Sequence, residues 1–386
     1  GSNVDGSKGV LLYLGNLSGS GAQDATLIIE SSDMTHGLPA GYSELKTQSL
    51  PEPTVQGVDV FQTLLYSGDN TNNRDITGAG FRPDFLWLKL RNGTLSHKLI
   101  ESSRGVTKVL YSDSNGVEGT EAGLDSFQSD GIRVDNANDT NGTGNNYVAW
   151  LWKANNGTTA SNGNGSTSTT VQVAPEGHMS IATLTAPGGA TTFGHGLSGA
   201  PELVTIKRRD SGDSWYSWMT GMGSVDYMTL DSNAASSSNS AVYTALPTST
   251  VVNGGTIFGA GDYSMYCFRS VTGVCHLGTY IGNGSTDGPI VNVGFRPRWI
   301  LVKNIGGAGG WVCFDTARDT AQPLDQYLDM SENHAEVTSG LDIDVLAQGF
   351  KIRIGHSWLN NAGVKYGYMT MVDVISGFNL PPIPGK

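Results

Sequence analysis

The chain has 386 residues, of which 53 are glycine and only 15% are charged, and its formal net charge at pH 7 is −12. This length suits two to four domains of ordinary size better than one large domain. The low charge and the many turn-forming residues predict an all-β protein. Because nucleic acids and anionic membrane surfaces attract an excess of Lys and Arg, the negative charge argues against both as partners.

No apolar run approaches the roughly 18–20 residues that cross a bilayer, and the first residues lack the pattern of a signal peptide. We therefore expect a soluble chain without membrane insertion. The three cysteines, Cys267, Cys275 and Cys313, lie in or beside apolar runs and are expected to be buried free thiols. A bridge between Cys267 and Cys275 is the alternative, and no Cys/His cluster indicates a metal site.

Residues 1–55 precede the repetitive part of the chain. They contain two strand-like runs, at 10–14 and 25–30, and end in the connector Leu50-Pro51-Glu52-Pro53. This pattern predicts an N-terminal β segment, either the end of a further domain or an attachment segment.

A sequence pattern then recurs three times. Each copy has a proline, an almost continuous apolar run and a lysine six residues after the proline; the pairs are Pro83 and Lys89, Pro201 and Lys207, and Pro297 and Lys303. Fourteen residues after each proline stands a ring side chain, and these are His97, Trp215 and Trp311. Each copy opens with a strand-like run, at 61–66, 179–184 and 277–280, and closes with an aromatic one, at 147–152, 263–268 and 366–371.

The recurrence predicts three tandem antiparallel β-sandwiches of the jelly-roll or lectin-like kind. We divide the chain into repeat 1 (residues 56–155), repeat 2 (176–271) and repeat 3 (272–375), with a Gly/Ser/Thr/Asn linker at 156–175 and a Pro-rich tail at 376–386. The proline is typical of a strand start, and the run after it suits a strand covered on both faces. The closing runs predict one packed and one solvent-facing side, and the lysines are expected to reach water.

An acidic residue and an arginine occur at the same register in repeats 1 and 3, as Glu101 with Arg104 and Asp315 with Arg318. A catalytic interpretation requires a second acid, base or nucleophile at a fixed register, and no such residue recurs. We therefore predict structural acid–arginine pairs and no catalytic residue.

Two further stretches have polar residues that resemble a site. Asp342 and Asp344 could share one strand face, as glycosidase carboxylates do, but a third acid is missing and the pattern does not recur. The loop at 135–142 is rich in oxygen ligands, yet its spacing differs from that of a calcium loop and is typical of a turn. We predict neither metal nor cofactor.

Aromatic residues supply the remaining candidates for binding. Trp215 and Trp218 cannot both face the core of one strand, and Trp215 is expected to be the core residue. His356, Trp358 and Asn360 fall in a predicted loop before the last strand of repeat 3. A tryptophan face with polar neighbours suits a sugar ring, so these three are the predicted ligand-binding residues, with packing of Trp358 on the sandwich end as the alternative.

A set of short motifs extends over about residues 38–372. They are Leu38-Pro39-Ala40-Gly41-Tyr42, Leu50-Pro51-Glu52-Pro53, Leu65-Tyr66-Ser67-Gly68, the run from Gly80 to Lys89, Tyr147-Val148-Ala149-Trp150, Gly194-His195-Gly196-Leu197 and Tyr280-Ile281-Gly282-Asn283-Gly284-Ser285. Through these motifs the chain resembles a family of repeat-bearing, tail-fibre-like proteins of marine and environmental phages.

The resemblance implies a non-enzymatic structural and adhesive protein of the virion that presents β-sandwich domains for attachment to the host. The implied partners are a host-surface glycan or receptor and other virion proteins. A homo-oligomer is expected, for which a trimer is one arrangement. A lectin-fold polysaccharide depolymerase and a purely structural capsid or filament component are the alternatives.

Overall fold

The computed structural model describes residues 57–373, so the predicted N-terminal segment and Pro-rich tail lie outside the described residues. The described part of the chain forms 27 strands, one 3-10 turn at Gly57–Asp59 and no α-helix, which confirms the all-β prediction. It also contains no helix of the length and hydropathy that a membrane span requires.

Repeat 1 contains nine strands. In chain order they are β1 (Phe61–Ser67), β2 (Arg74–Thr77), β3 (Phe85–Leu90), β4 (Lys98–Glu101), β5 (Lys108–Val109), β6 (Gly119–Thr120), β7 (Leu124–Gln128), β8 (Gly131–Val134) and β9 (Asn146–Trp152). The main sheet has the order β1-β9-β3-β4, and two smaller sheets have the orders β2-β8-β7 and β5-β6. All pairings are antiparallel.

Ten strands follow up to the end of repeat 2. They are β10 (Ala160–Asn162), β11 (Thr169–Val173), β12 (Met179–Pro187), β13 (Thr191–Gly194), β14 (Leu203–Arg208), β15 (Tyr216–Met219), β16 (Asp226–Thr229), β17 (Ser237–Ser238), β18 (Val251–Gly254) and β19 (Ala260–Phe268). The main sheet here has eight strands, in the order β10-β11-β12-β19-β14-β15-β16-β17, and β13 pairs with β18 in a smaller one.

Repeat 3 contains eight strands. They are β20 (Cys275–Ile281), β21 (Ile290–Asn292), β22 (Pro297–Asn304), β23 (Trp311–Asp315), β24 (Leu328–Asp329), β25 (Ile343–Leu346), β26 (Gly349–Ile352) and β27 (Lys365–Val372). The main sheet has the order β20-β27-β22-β23-β24, and the smaller sheet has the order β21-β26-β25.

The linker predicted at 156–175 is wrong, because β10 and β11 lie within it. β11 pairs with β12 in a register that places Gln172 opposite Ile181, and Val171 and Gln172 are buried. The sequence from Thr169 to Val173 is rich in β-branched residues, which favour strands. That local signal outweighs the linker-like composition around it.

One register recurs in the three main sheets. The residue two positions after each repeated proline pairs with the sixth residue of the closing run; the pairs are Phe85 with Trp152, Leu203 with Phe268, and Trp299 with Met371. The same three residues pair on their other side with Glu101, Met219 and Asp315. Pro83, Pro201 and Pro297 therefore stand at equivalent strand starts, as predicted.

The closing strands β9, β19 and β27 are buried on both faces over their aromatic runs. The prediction of one solvent-facing side is wrong, because side chains on both faces of each closing strand pack into apolar clusters. In its main sheet each closing strand lies between the opening strand and the strand after the proline. Both faces of that sheet are covered by other parts of the chain.

Side chains from the main sheets of all three repeats meet in one apolar core. It includes Phe85, Trp152, Leu203, Phe268, Trp299 and Met371. Two further clusters lie within repeats 1 and 3, where residues such as Ile132 and Phe350 of the smaller sheets contribute. The described residues belong to one compact unit, in which the shared core joins the three repeats.

The repeated lysines are buried and do not reach water, contrary to the sequence-based expectation. Their ammonium groups donate to main-chain carbonyls; the acceptors are Leu90, Gly93 and Asn333 for Lys89, Asn115, Arg208 and Asp213 for Lys207, and Ser232, Ala234 and Gly309 for Lys303. Each lysine thus joins carbonyls of its own repeat to carbonyls of another.

The carbonyls from the other repeat lie in three equivalent segments, 113–118, 231–236 and 329–336, which we call the interlock loops. Each also donates one main-chain N–H to the strand end that it covers; the bonds are Glu118 N to Arg209 O (2.8 Å), Ser236 N to Ile305 O (3.2 Å) and Glu336 N to Arg91 O (2.7 Å). Repeat 1 therefore covers repeat 2, repeat 2 covers repeat 3, and repeat 3 covers repeat 1. The three contacts close a ring.

The His or Trp side chain fourteen residues after each proline contacts the same neighbouring repeat as the lysine does. Trp215 Nε1 donates to Tyr111 O (2.8 Å), Trp311 Nε1 donates to Thr229 O (3.0 Å), and His97 Nε2 lies 3.1 Å from Asp329 O. Their own main-chain amides donate to an interlock-loop carboxylate of the same repeat; the acceptors are Asp113, Asp231 and Asp329. The spacing seen in the sequence thus marks the contacts between repeats.

Replacing one repeated lysine should weaken the whole fold. In Lys207→Met the three main-chain carbonyls of Asn115, Arg208 and Asp213 lose their donor, and we expect the free energy of unfolding to fall by about 2–4 kcal/mol. Lys351→Met is the matched control, because Lys351 pairs with the exposed Asp287, and its effect should be much smaller. Urea unfolding measures both, and equal effects of the two variants would contradict the role given to Lys207.

Three buried histidines make the fold sensitive to acid. Burial lowers the pKa of His97 well below its usual value, the pKa of His178 to about 4, and the pKa of His195 in the same direction. At His97 the geometry agrees, since Nδ1 accepts a hydrogen bond from Trp87 Nε1 (3.0 Å) and cannot take a proton while doing so.

Because these folded-state pKa values lie below the unfolded value of about 6.5, the folded chain binds fewer protons than the unfolded chain between pH 6.5 and 4. The contribution of the histidines to the free energy of unfolding should therefore be level above about pH 7 and fall as the pH drops below 6.5, by about 2 kcal/mol at pH 5 for His178 alone. Urea unfolding at pH 7, 6 and 5 tests this. His178→Phe should reduce the slope and His334→Gln, at an exposed position, should not.

Candidate functional site

The predicted binding residues of repeat 3 lie in the loop between β26 and β27. His356 is exposed, Trp358 is half-buried and Asn360 is fully buried. The His356 and Trp358 rings meet edge to face at 5.8 Å, and Trp358 packs against the core of repeat 3. The structure therefore leaves His356 and one part of Trp358 accessible.

Asn360 holds this loop together and has no side-chain atom left for a ligand. Its Nδ2 donates to Asn283 Oδ1 (3.0 Å), Ser285 O (2.6 Å) and Ile354 O (3.1 Å), and its Oδ1 accepts from Asn283 N (2.7 Å). It stands six residues before Tyr366, as Asn141 stands six residues before Tyr147. We therefore remove Asn360 from the binding residues.

The equivalent asparagine of repeat 1 has the same role. Asn141 is buried, and its Nδ2 donates to Asp69 Oδ1 (3.1 Å) and Thr71 O (2.9 Å). The hydroxyl of Tyr147 donates to Asn138 O (2.6 Å), so the oxygen-rich loop at 135–142 is held by hydrogen bonds within the protein. Among residues 57–373, no group of three or more His, Cys, Asp or Glu side chains could hold a metal ion.

The acid–arginine pairs belong to the contacts between repeats. Arg104 bonds to Glu101, as predicted, and also to Glu118 of the interlock loop (2.8 Å). In repeat 3 the expected partner differs, because Arg318 bonds to Glu336.

Asp315 instead accepts hydrogen bonds from two side chains of repeat 1. Its Oδ2 lies 2.8 Å from Thr63 Oγ1 and 2.7 Å from Trp150 Nε1. Sequence proximity could not reveal this arrangement, because the two donors lie 252 and 165 positions away along the chain.

The two aspartates considered for glycoside hydrolysis have different surroundings. Asp344, in β25, is buried and pairs with Arg353 at 3.4 Å. Asp342 precedes β25, and burial together with the nearby Asp325 raises its pKa. An ion pair with Arg353 keeps Asp344 in a structural contact.

The remaining aromatic and cysteine predictions concern the core. Trp215 is fully buried as predicted, and Trp218 is also buried because both faces of its sheet are covered. Cys267, Cys275 and Cys313 are buried free thiols, as predicted, and burial raises the pKa of Cys275 to about 12.

A polar cleft of about 360 Å³ lies where the strand after the third proline begins. Its lining residues are Arg296, Arg298, Thr316, Ala317, Asp319, Thr320, Gln322 and Asp373. We call it the arginine pocket. A second cavity, of about 40 Å³, lies in the shared core among side chains such as Trp87, Trp215 and Trp311, and its apolar wall offers no polar partner to a ligand.

The arginine pocket replaces an acidic site of the other two repeats. The residue directly after the repeated proline is Asp84 in repeat 1, Glu202 in repeat 2 and Arg298 in repeat 3. Asp84 accepts hydrogen bonds from the main-chain amides of Ala154, Asn156 and Gly157, and Glu202 accepts one from Ser270. In those repeats main-chain amides just after the closing strand donate hydrogen bonds to the acid.

Donor groups remain available in the pocket of repeat 3. Arg298 Nη2 donates to Thr63 O (3.3 Å), and no carboxylate of the described residues forms an ion pair with this guanidinium. Arg296 Nε lies 3.4 Å from Asp373, while its buried Nη1 has no hydrogen-bond partner. Asp319 is occupied by main-chain amides, since its oxygens accept from residues Ala321, Asp325 and Gln326.

The sequence contains the signal for this pocket. A comparison of the residue after each repeated proline shows two acids and one arginine, which is a reversal of charge at an equivalent position. The signal lies one position beyond the prolines that align the three repeats.

The fold and the polar sites define an all-β protein of several antiparallel sheets with a shared apolar core. The chain belongs to the family characterised by a domain of unknown function, DUF7483, whose family model matches residues 56–374. No curated protein and no solved structure matches the chain.

Two variants separate loop structure from surface exposure. Asn360→Ala leaves the carbonyls of Ser285 and Ile354 and the amide of Asn283 without partners, and we expect the free energy of unfolding to fall by about 2–4 kcal/mol. His356→Ala changes an exposed neighbour of the same loop and should leave the thermal melt nearly unchanged. A melt of Asn360→Ala equal to that of the native chain would show that the loop does not depend on this amide.

Proposed function

We propose that the chain is a non-enzymatic component of a virion, of tail-fibre type, that attaches to the host surface. The observation that supports this most is the use of the recurring polar residues. Lys89, Lys207 and Lys303, with their equivalent interlock loops, bind one repeat to another. Side chains that recur at fixed register thus form a rigid scaffold, as expected of a protein that holds a binding surface in place.

The three repeats are, in this proposal, three β-sandwiches of jelly-roll or lectin-like kind. Each has a main sheet and a smaller one, which has the order β2-β8-β7 in repeat 1, β13-β18 in repeat 2 and β21-β26-β25 in repeat 3. Loops at the end of a sandwich can vary while the core stays the same, so they are suited to recognition. The exposed loop around His356 and Trp358 is such a place.

The proposed partners are a host-surface glycan or receptor and other virion proteins, and a homo-oligomer remains part of the proposal. Two alternatives stay open. A polysaccharide depolymerase would use Asp342 and Asp344, and a purely structural component of the capsid or filament would bind no ligand.

A binding assay on the whole chain tests the proposal. Labelled protein should bind host cells or a glycan array saturably, and Trp358→Ala should weaken that binding by about 1–3 kcal/mol, as other aromatic contacts do. Ile290→Ala is a suitable control, because Ile290 is 64% exposed on another strand of repeat 3. Thermal melts of both variants show whether any loss of binding reflects lost stability.

The alternatives give different results in the same set of assays. A structural component would show no saturable binding to cells or glycans. A depolymerase would release reducing sugar from a polysaccharide and lose that activity in Asp342→Asn. Binding that persists in Trp358→Ala at full affinity would remove this loop from the attachment surface.

A further inference from the structure

We propose that the arginine pocket of repeat 3 binds a carboxylate-bearing sugar of monosaccharide size. The pocket is separate from the loop of His356 and Trp358, since none of its lining residues belongs to that loop. The choice of a sugar as the ligand rests on the proposed attachment function. The preference for an anion depends only on the geometry of the pocket.

Repeat 3 carries a positive charge at a position where the other two repeats carry an acid. In repeats 1 and 2 the acid after the proline accepts hydrogen bonds from main-chain amides of the segment that follows the closing strand. In repeat 3 the corresponding amide, that of Asp373, donates to Arg296 O (2.8 Å). The side chain of Arg298 therefore faces a cleft where the other repeats present a carboxylate to their own main chain.

Arg296 and Arg298 have more N–H donors than the described residues use. A guanidinium has five N–H donors in a planar fork that matches a carboxylate. Arg298 donates one hydrogen bond, to Thr63 O, and Arg296 has a buried Nη1 without a partner among the described residues. A carboxylate in the cleft would accept hydrogen bonds from the N–H groups of Arg298 that have no partner among the described residues.

Uncharged polar side chains of the pocket could bind the hydroxyl groups of the sugar. Thr316, Thr320 and Gln322 also line the cleft. Hydroxyl and amide groups can both donate to and accept from sugar hydroxyls. A cleft of about 360 Å³ falls at the lower end of the range for small-ligand sites and is large enough for one sugar ring.

Titration calorimetry of the full chain with D-glucuronate tests the proposal. D-glucose has the same ring with a hydroxymethyl group in place of the carboxylate, and it should bind at least tenfold more weakly. Inorganic sulfate tests whether charge alone is recognised and should also bind at least tenfold more weakly. Equal affinity for glucose and glucuronate, or for sulfate and glucuronate, would overturn the proposal.

Two substitutions locate the binding. Arg298→Glu restores the acidic character of the equivalent position in repeats 1 and 2, and it should lower the affinity for glucuronate at least tenfold. Arg353→Gln removes a positive charge elsewhere in repeat 3, where Arg353 pairs with Asp344, and should leave the affinity within about twofold. Unchanged binding in Arg298→Glu, or an equal loss in Arg353→Gln, would contradict the assignment.

A third variant guards against misfolding. Arg298→Gln keeps a donor for Thr63 O and is expected to melt like the native chain while losing most of the glucuronate affinity. If glucuronate binds at Arg298 but the chain does not bind host surfaces, the attachment function fails and the pocket stands. If the native chain does not bind glucuronate and host binding persists in Arg298→Glu, the assignment of a carboxylate site to the pocket is wrong and the attachment function stands.

Discussion

The buried ammonium groups of Lys89, Lys207 and Lys303 are the contacts on which the rest of the structure depends. Each strand after a repeated proline ends against carbonyls from two different repeats, and a lysine has three donors to satisfy such a cluster. Burial of the charge opposes this arrangement, and it lowers the pKa of each lysine to about 8. The ammonium is retained because no uncharged side chain offers three donors at one point.

The three contacts of the ring have the same main-chain geometry but different side-chain support. Arg209 and Arg91 face the carboxylates of Glu118 and Glu336 at two of them. At the third, between repeats 2 and 3, Ser236 and Ile305 occupy these places, and the serine hydroxyl donates to Ile305 O (2.8 Å). The lysine and the main-chain bond are thus the shared requirement, and the ion pair is an addition that one contact does without.

Much of the local structure could be predicted from the sequence, because prolines, apolar runs and β-branched residues act over a few positions. The strand starts at Pro83, Pro201 and Pro297 follow from that chemistry. The burial of the lysines and the hydrogen bonds of Asp315 could not be predicted, since they depend on which distant segment covers a strand end. The same limit applies to Asn360, whose partners lie in a loop far along the chain.

In a chain built of similar repeats, equivalent positions can be compared to separate structural residues from functional ones. Where a polar residue recurs with the same partners, as Asn141 and Asn360 do, its structural role is sufficient reason for its presence. Where one repeat reverses a charge that the others use for folding, the residue can no longer bind the main-chain amides that the acids bind. Arg298 is in that position, because Asp84 and Glu202 already show what the fold requires there. A bound ligand with a carboxylate would supply the negative charge that repeat 3 lacks at this position.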